Sequence, residues 1–439
     1  MTTRLDPPQP VLDIAERLER AGFETWCVGG AVRDALLGHP HLDWDLATAA
    51  RPADVQRLFR RTVPVGIEFG TVGVLDRAGT LHEVTTFRRD VKTDGRHAVV
   101  EFGASLDDDL ARRDFTINAI AWSPSRAELR DPFRGRADLE SRVVRAVGDP
   151  DARMEEDRLR ALRAIRFASR FEFDIEAATW RAILASAPHM ARLSAERVKQ
   201  EIEKTMEQVR RPSRAFAMWR DSGAFATLVP ALASVRDADL AAIDFAPRPL
   251  GGPRSSERRL TRLAMLFLPL AIADVARTLT ALRFSKLDIA WVSGLVERWS
   301  LLGADMRARL SDGDASELTI RRWVAVAGRT RIRSVLRIAA IRWSADRAAG
   351  IPAPDPGAVK RLARRAIAIA FRDPVELSDL AVDGDDLRRA GFVPGRELGK
   401  ILHALLEWVL EDPARNVPDL LIARARALRE QSTDQRGPA

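Results

Sequence analysis

The chain has 439 residues, enough for two to four domains, and its 46% hydrophobic content is that of a protein with a sizeable core. No stretch approaches the roughly 20 apolar residues that span a bilayer, and the start Met1-Thr2-Thr3-Arg4-Leu5-Asp6-Pro7 has no apolar export core. The single cysteine, Cys27, excludes an internal disulfide and fits a reducing cytoplasm, while a net charge of +8, from 70 basic residues (only six of them lysine) against 62 acidic ones, suits a polyanion without deciding for nucleic acid. In chain order, Val11 to Ala21 reads as an amphipathic helix, Glu24 to Val28 as a short strand, and the segment through Val32, Leu36 and Leu37 as a second helix. A strand is expected around Asp43 to Thr48, a helix over Ala53 to Phe59, and strands over Thr71 to Leu75 and His82 to Thr86. After Gly148-Asp149-Pro150 the pattern turns to helix almost without interruption, with Leu159, Leu162 and Ile165 at helical spacing. Breaks rich in Gly and Pro at Pro247 to Pro253 and Gly350 to Gly357 divide this part, and Gln431 to Ala439 reads as disordered. The expected organisation is an α/β head over residues 10–145 and an all-α remainder over 146–245, 255–349 and 358–430, with no internal repeat.

The chemistry gathers in the head. Gly29-Gly30 lies at a strand-to-helix turn, where a phosphate would meet free backbone N–H groups and the positive end of a helix. In the following strand the spacing of two puts Asp43 and Asp45 on one face and turns Trp44 into the core. Two such carboxylates repel unless a cation lies between them, and hard oxygen ligands beside a phosphate site favour Mg²⁺. Each piece alone has an ordinary reading, a tight turn and a solvated strand; there is neither a third glycine for a dinucleotide fold nor a Gly-Lys-Ser/Thr for a Walker loop.

The combination is more specific. Gly29-Gly30-Ala31-Val32-Arg33-Asp34 with Leu36-Leu37-Gly38 and Asp43-Trp44-Asp45-x-x-Thr48 resembles the first motif of class II tRNA nucleotidyltransferases, the bacterial and eukaryotic CCA-adding enzymes, which share a head domain with bacterial poly(A) polymerases. Asp109-Leu110-Ala111-Arg112-Arg113-Asp114-Phe115-Thr116-Ile117-Asn118-Ala119, by itself an ordinary charge cluster, is similar to the second motif; the resemblance implies that Arg113, with Arg112 as a second candidate, binds the phosphates or sugar of the incoming nucleotide. Glu156-Asp157-Arg158-Leu159-Arg160, by itself a salt-bridged helix face on which Asp157 and Arg160 are neighbours, is similar to the nucleotide-selecting motif Glu-Asp-x-x-Arg. A carboxylate that accepts from an exocyclic amine and a guanidinium that donates to a ring nitrogen fit cytosine and adenine and leave unpaired groups against uracil and guanine. Arg163 and Arg166 continue that stripe toward phosphate or the base-reading pair, and Glu196-Arg197-Val198-Lys199-Gln200-Glu201 resembles the last motif, a brace for neck helices. Glu83, in His82-Glu83-Val84, is a third carboxylate on a strand beside Asp43 and Asp45.

The resemblance covers residues 24 to 204 and implies an α/β nucleotidyltransferase head followed by an all-α neck, body and tail. It implies a cytoplasmic, template-independent enzyme that adds CCA to the 3′ end of tRNA from CTP and ATP and releases pyrophosphate. Asp43 and Asp45 would hold Mg²⁺, Gly29, Gly30, Arg33 and Arg113 the triphosphate and sugar, and the C-terminal helices the acceptor stem, with no membrane and no obligate protein partner evident. Close alternatives are a CC-adding or A-adding enzyme and a poly(A) polymerase; a different class is a non-catalytic RNA-binding paralogue. Thr86 to His97 resembles the flexible loop of enzymes able to add A, Val65 to Val72 looks like the CCA-adding type, and both metal carboxylates are present. The six histidines form no His-Asp doublet, so the phosphohydrolase activity of some related chains is not expected.

Overall fold

The computed structural model describes residues 5–39, 43–93, 98–247 and 254–434, and the chain divides into two compact units, Met1–Ser234 and Val235–Ala439. Residues 94–97 of the expected loop, 248–253 of the first Gly/Pro break and 435–439 of the tail lie outside the described residues.

The first unit opens with helix α1 (Gln9–Arg20), which buries Val11, Ile14, Ala15 and Leu18 at the helical repeat. Strand β1 (Thr25–Val28), helix α2 (Gly30–Leu36), strand β2 (Asp45–Thr48) and helix α3 (Pro52–Leu58) follow. Next come β3 (Thr62–Gly66), β4 (Thr71–Leu75), β5 (Leu81–Thr86), β6 (Arg88–Thr93) and β7 (Ala98–Phe102), then helix α4 (Leu106–Ala111). Short strands β8 (Ala121–Ser123) and β9 (Glu128–Arg130) complete a seven-stranded sheet of order β3-β4-β5-β2-β1-β8-β9. Its pairings are antiparallel except β2 with β5, which run parallel with Leu46 opposite Val84. β6 and β7 form a separate hairpin. All of β1 is buried, and Trp26, Val28, Ala47, Phe87, Leu110 and Ala121 share one apolar cluster, so the strand ends that carry the candidate site rest on packed side chains.

Helix α5 (Gly135–Glu140) precedes the helical part of this unit: α6 (Pro150–Glu156), α7 (Leu159–Phe171), α8 (Ala177–Ser186) and α9 (Ala195–Gln208), then Pro212–Asp221 and Ala224–Leu228. Asp149 caps α6 through the N–H of Asp151 and Ala152, and Ser194 caps α9 through that of Arg197, each worth about 1 kcal/mol. Helix α7 buries Ala161, Leu162, Ala164, Ile165 and Ala168.

Among the described residues the second unit is helical throughout, its longer helices being Arg254–Phe267, Ile272–Ala281, Lys286–Ser311, Glu317–Ala327, Ile332–Ala348, Pro356–Arg372, Arg396–Glu411 and Pro418–Asp434. Leu387, Leu405, Val409, Leu421 and Ala425 form its C-terminal core. The last helix carries Gln431–Asp434, which composition alone assigns to a disordered end, because the buried Leu421 and Ala425 anchor a helix that continues past them. Among the described residues no helix is long and apolar enough to cross a membrane.

Candidate active site

Where β1 gives way to α2, Gly29 has φ 74° and ψ −133°, a conformation L side chains rarely adopt. A Cβ there would lie 2.9 Å from Nη1 of Arg113, so the missing side chain also lets a guanidinium approach the turn. The antiparallel register sets Asp45 opposite Val28, directly before the glycines. Asp43 is exposed and precedes β2, which begins at Asp45 rather than at Asp43; Trp44 between them is buried. The parallel register with β5 brings Glu83 near Asp45. Burial, with the charges of Asp43 and Glu83, pushes the Asp45 carboxyl up to about 7. Among the described residues no group of three or more His, Cys, Asp and Glu is placed to hold a metal ion. The donor set is therefore a carboxylate pair with Glu83 adding charge, and its mutual repulsion is what a hard cation would relieve. Mg²⁺ is commonly held in this way, by one or two carboxylates and substrate phosphates rather than by an all-protein cage.

Gly29, Gly30 and Asp45 open onto a cleft of about 450 Å³, which Arg33, Arg112, Arg113, Asp157, Arg160 and Arg163 also line. Arg112 and Arg113 both grip the buried Asp109, at 2.6 and 3.1 Å; burial alone would raise the Asp109 pKa, but the two guanidiniums hold it below the ordinary carboxylate value. Across the cleft, Asp114 accepts from Arg163 Nε at 2.8 Å, from Asn118 Nδ2 at 2.8 Å and from the N–H of Phe115 at 2.9 Å. Burial acts against its charge, yet Arg163 and the Asn118 hydrogen bond hold its pKa down at about 2. Asn118 Oδ1 accepts in turn from Arg33, which is buried, donates to Asp34 at 2.7 Å and lies over the rings of Phe167 and Phe171. Arg170 closes the network on the other Asp34 oxygen at 2.9 Å.

The base-reading segment differs from the single helix face expected of it. Helix α6 ends at Glu156, Asp157 takes extended backbone with φ −150° and ψ 103°, and α7 begins at Leu159. Asp157 Oδ1 accepts from the N–H of Leu159 at 3.0 Å, the capping role for which Asp is suited, so this carboxylate divides two helices rather than riding on one. Its other oxygen accepts from Arg197 Nη2 of α9 at 2.6 Å. Arg160 donates to Glu156 at 2.6 Å and to the carbonyls of Arg153 and Arg112 at 3.1 and 3.0 Å. Asp157 and Arg160 thus share the cleft without pairing with each other. Arg166, expected to continue the stripe, is buried and donates to Glu201 at 2.7 Å and Gln208 at 3.2 Å, and it is not among the cleft-lining residues.

Residues 25–145 match the family described as the poly A polymerase head domain, and residues 172–235 match the one described as the probable RNA and SrmB-binding site of polymerase A. A CCA-adding enzyme of Geobacillus thermodenitrificans is 46% identical over 205 residues, which are 46% of this chain and 50% of that protein. In its first half the chain thus matches the poly A polymerase head and RNA-binding family models. A CCA-adding enzyme of Streptococcus thermophilus is 47% identical over 200 residues, 45% of this chain and 49% of that protein. These matches span about half the length of the curated relatives. A crystal structure of the Bacillus stearothermophilus CCA-adding enzyme in complex with CTP is similar over 96% of this chain and 98% of that one, with a TM-score of 0.74 and 29% identity. The sequence alone does not mark Arg197, Asp114 and Asn118 as cleft residues. The polar pair Asp114 and Asn118, four apart in an otherwise apolar run, was a readable signal; nothing local announces that Arg197 reaches back to Asp157.

Proposed function

We propose that this chain is a cytoplasmic, template-independent CCA-adding enzyme that extends the 3′ end of tRNA with CTP and ATP. The observation that carries the reading is a single cleft lined at once by the glycine turn, Asp45, and the Asp157 and Arg160 pair. The similar enzymes named above are CCA-adding enzymes, one of them bound to CTP. Asp43 and Asp45 would hold Mg²⁺, which supplies Lewis-acid stabilisation of phosphoryl charge and a lowered pKa for the tRNA 3′-hydroxyl. Arg113, with Arg112 beside it, faces the glycine turn and positions the triphosphate and sugar, while Arg33, fixed by Asp34 and Asn118, supplies positive potential from beneath.

Base choice follows from counting donors and acceptors. Two bonds are made to the Asp157 carboxylate, which offers about four lone-pair sites, so it retains capacity for an exocyclic amine. Arg160 spends Nη1 and one Nη2 hydrogen within the protein, and its remaining N–H groups can donate to a ring nitrogen. Glu156 and Arg197 hold the two at a fixed spacing. Cytosine and adenine complete the set; uracil and guanine set carbonyl against carboxylate and N–H against guanidinium, an unpaired arrangement that polar sites reject by ~10⁴ or more. We place the head at 10–145, the neck at 146–245, the body at 255–349 and a tRNA-binding tail at 358–430.

The test is incubation of the purified chain with tRNAs ending before CCA, after C and after CC, with each nucleotide singly. Ordered incorporation of C, C and A is expected. Incorporation of only C or only A identifies a half-enzyme, and open-ended addition of A a poly(A) polymerase. Binding of tRNA with no incorporation of any nucleotide would overturn the reading.

A further inference from the structure

In the second unit, three helices meet where two guanidiniums converge on one glycine. Gly294 and Arg298 lie on helix Lys286–Ser311, and Arg331 directly precedes helix Ile332–Ala348. A Cβ on Gly294 would be 3.0 Å from Nη1 of Arg298 and 3.3 Å from Nη1 of Arg331, so only a residue without a side chain leaves both cations their place. Arg298 is braced from behind, donating to the carbonyls of Ala327 at 2.6 Å and Gly294 at 2.9 Å. Arg331 lies over the Trp291 ring at 4.6 Å and donates to the Trp291 carbonyl at 3.4 Å. Compensation is weak: Arg298 has only Glu297 at 4.0 Å, and Arg331 has no ion-pair partner among the described residues. Nearby arginines are treated differently. Arg337 has Glu257 at 2.8 Å, Arg259 has Asp288 at 3.6 Å, and Arg329, two residues before Arg331, has Asp379 at 2.5 Å. Desolvation and the charge of Arg298 lower the Arg331 pKa from its ordinary value, the mark of like charges held together unrelieved. The Trp291 indole N–H is buried without an acceptor among the described residues as well.

We propose that Arg298, Arg331 and Trp291 form a phosphate-binding platform for the backbone of the tRNA substrate, a contact of the second unit that reads charge rather than sequence. Two converging guanidiniums match the oxygens of a phosphodiester, which would neutralise the repulsion that the fold leaves weakly compensated. The inference rests on the tRNA reading above for its occupant and on the Arg-Trp-Arg geometry for its place.

The experiment measures binding of the full chain to tRNA lacking CCA by fluorescence anisotropy across a KCl series. The probed forms are wild type, Arg331→Gln, Arg331→Lys, Trp291→Phe and the double variant Arg298→Gln with Arg331→Gln. Each lost phosphate contact lowers the slope of log Kd against log salt by about 0.7 to 0.9, so Arg331→Gln is expected to lose roughly one unit and to bind about tenfold more weakly at low salt. Arg331→Lys keeps the charge and the slope. Trp291→Phe keeps an aromatic face for Arg331, smaller than the indole, and loses the N–H donor, leaving the slope in place with slightly weaker binding. The CTP to UTP preference stays as in wild type in every form. Should the double variant unfold because Arg298 braces Ala327, Arg331→Gln alone decides. A wild type that binds tRNA and adds nucleotides, with Arg331→Gln indistinguishable from it in Kd and slope, overturns this inference and leaves the function standing. A wild type that binds no tRNA at all overturns both.

Discussion

The two units use the same side chain in opposite ways. In the cleft of the first unit the guanidiniums are compensated and aimed: Arg113 by Asp109, Arg163 by Asp114, Arg160 by Glu156, and Arg197 by Asp157. At the three-helix junction of the second unit, Arg298 and Arg331 meet over Gly294, Arg298 with only the distant Glu297 and Arg331 with no ion-pair partner among the described residues. A neutralised guanidinium contributes direction and discriminates hydrogen-bond patterns, because little net field remains. A weakly compensated one contributes field, attracts any phosphate and is sensitive to salt. Arginine content cannot separate these two uses; the position of the carboxylates does.

The largest effect that sharpens this contrast lies at the anionic edge of the cleft. Asp45→Ala is expected to lower nucleotide addition by ~10³-fold or more with every primer while tRNA affinity stays within a few-fold, since phosphoryl chemistry fails and the grip does not. Single-turnover incorporation alongside anisotropy checks it, and near-normal turnover would remove the metal assignment. Next in size, Asp157→Ala and Arg160→Ala should cut the CTP to UTP ratio in kcat/KM by ~10²-fold while the salt dependence of tRNA binding stays as in wild type. Loss of all four nucleotides in parallel would mean a phosphate grip in place of a template, and the contrast between the units would collapse.

A smaller effect concerns how compensation supports folding. The Asp114 pKa is held below its unfolded value, so its contribution to stability is complete above about pH 4 and is lost as pH falls through about 2. Asp114→Asn is therefore expected to be less stable than wild type by about 2 kcal/mol near neutrality, with the difference shrinking to nothing below about pH 2. Urea unfolding across that range measures it, and a difference that does not vary with pH would place Asp114's role in shape rather than charge. The smallest expected change is Glu83→Gln. Because Glu83 acts on Asp45 through charge, the Mg²⁺ concentration for half-maximal activity should rise by no more than about tenfold with little change at saturation. Loss of activity that Mg²⁺ cannot restore would make Glu83 a ligand.

Legibility in the sequence followed the range of the interactions. The strands around Trp26 and Val74, the glycine turn and the inward Trp44 are set by alternation and local backbone preference, and they were readable to within a residue or two. The fold class was readable for the same reason, as the periodicity changes once and stays changed. The break at Asp157 was also local, since an Asp two residues before an apolar helical run is a capping signal, but the stronger helical spacing of Leu159, Leu162 and Ile165 hid it. Arg197 on Asp157 and Glu201 on Arg166 join residues 40 and 35 apart in the chain, and no periodicity carries such pairs. Burial sets Arg166 against α9 rather than in the cleft, because one charged stripe on α7 faces a neighbouring helix for part of its length and the cleft for the rest.

The interruption between α6 and α7 has a consequence for how this gene can change. Most single substitutions at Arg158, whose own side chain caps nothing, leave the flanking helices as they are. Removing that residue is another matter. The phase of α7 is pinned by Ala161, Leu162 and Ile165 in the interior, so a missing position cannot be absorbed by turning the helix, and the connection from Glu156 must be drawn tight instead. Asp157 would then be pulled from its place against Arg197, while Arg160 keeps its own. A one-codon deletion here should therefore be worse than almost any exchange of one amino acid for another at the same spot, because chain length at this corner, more than side-chain identity, sets where Asp157 lies.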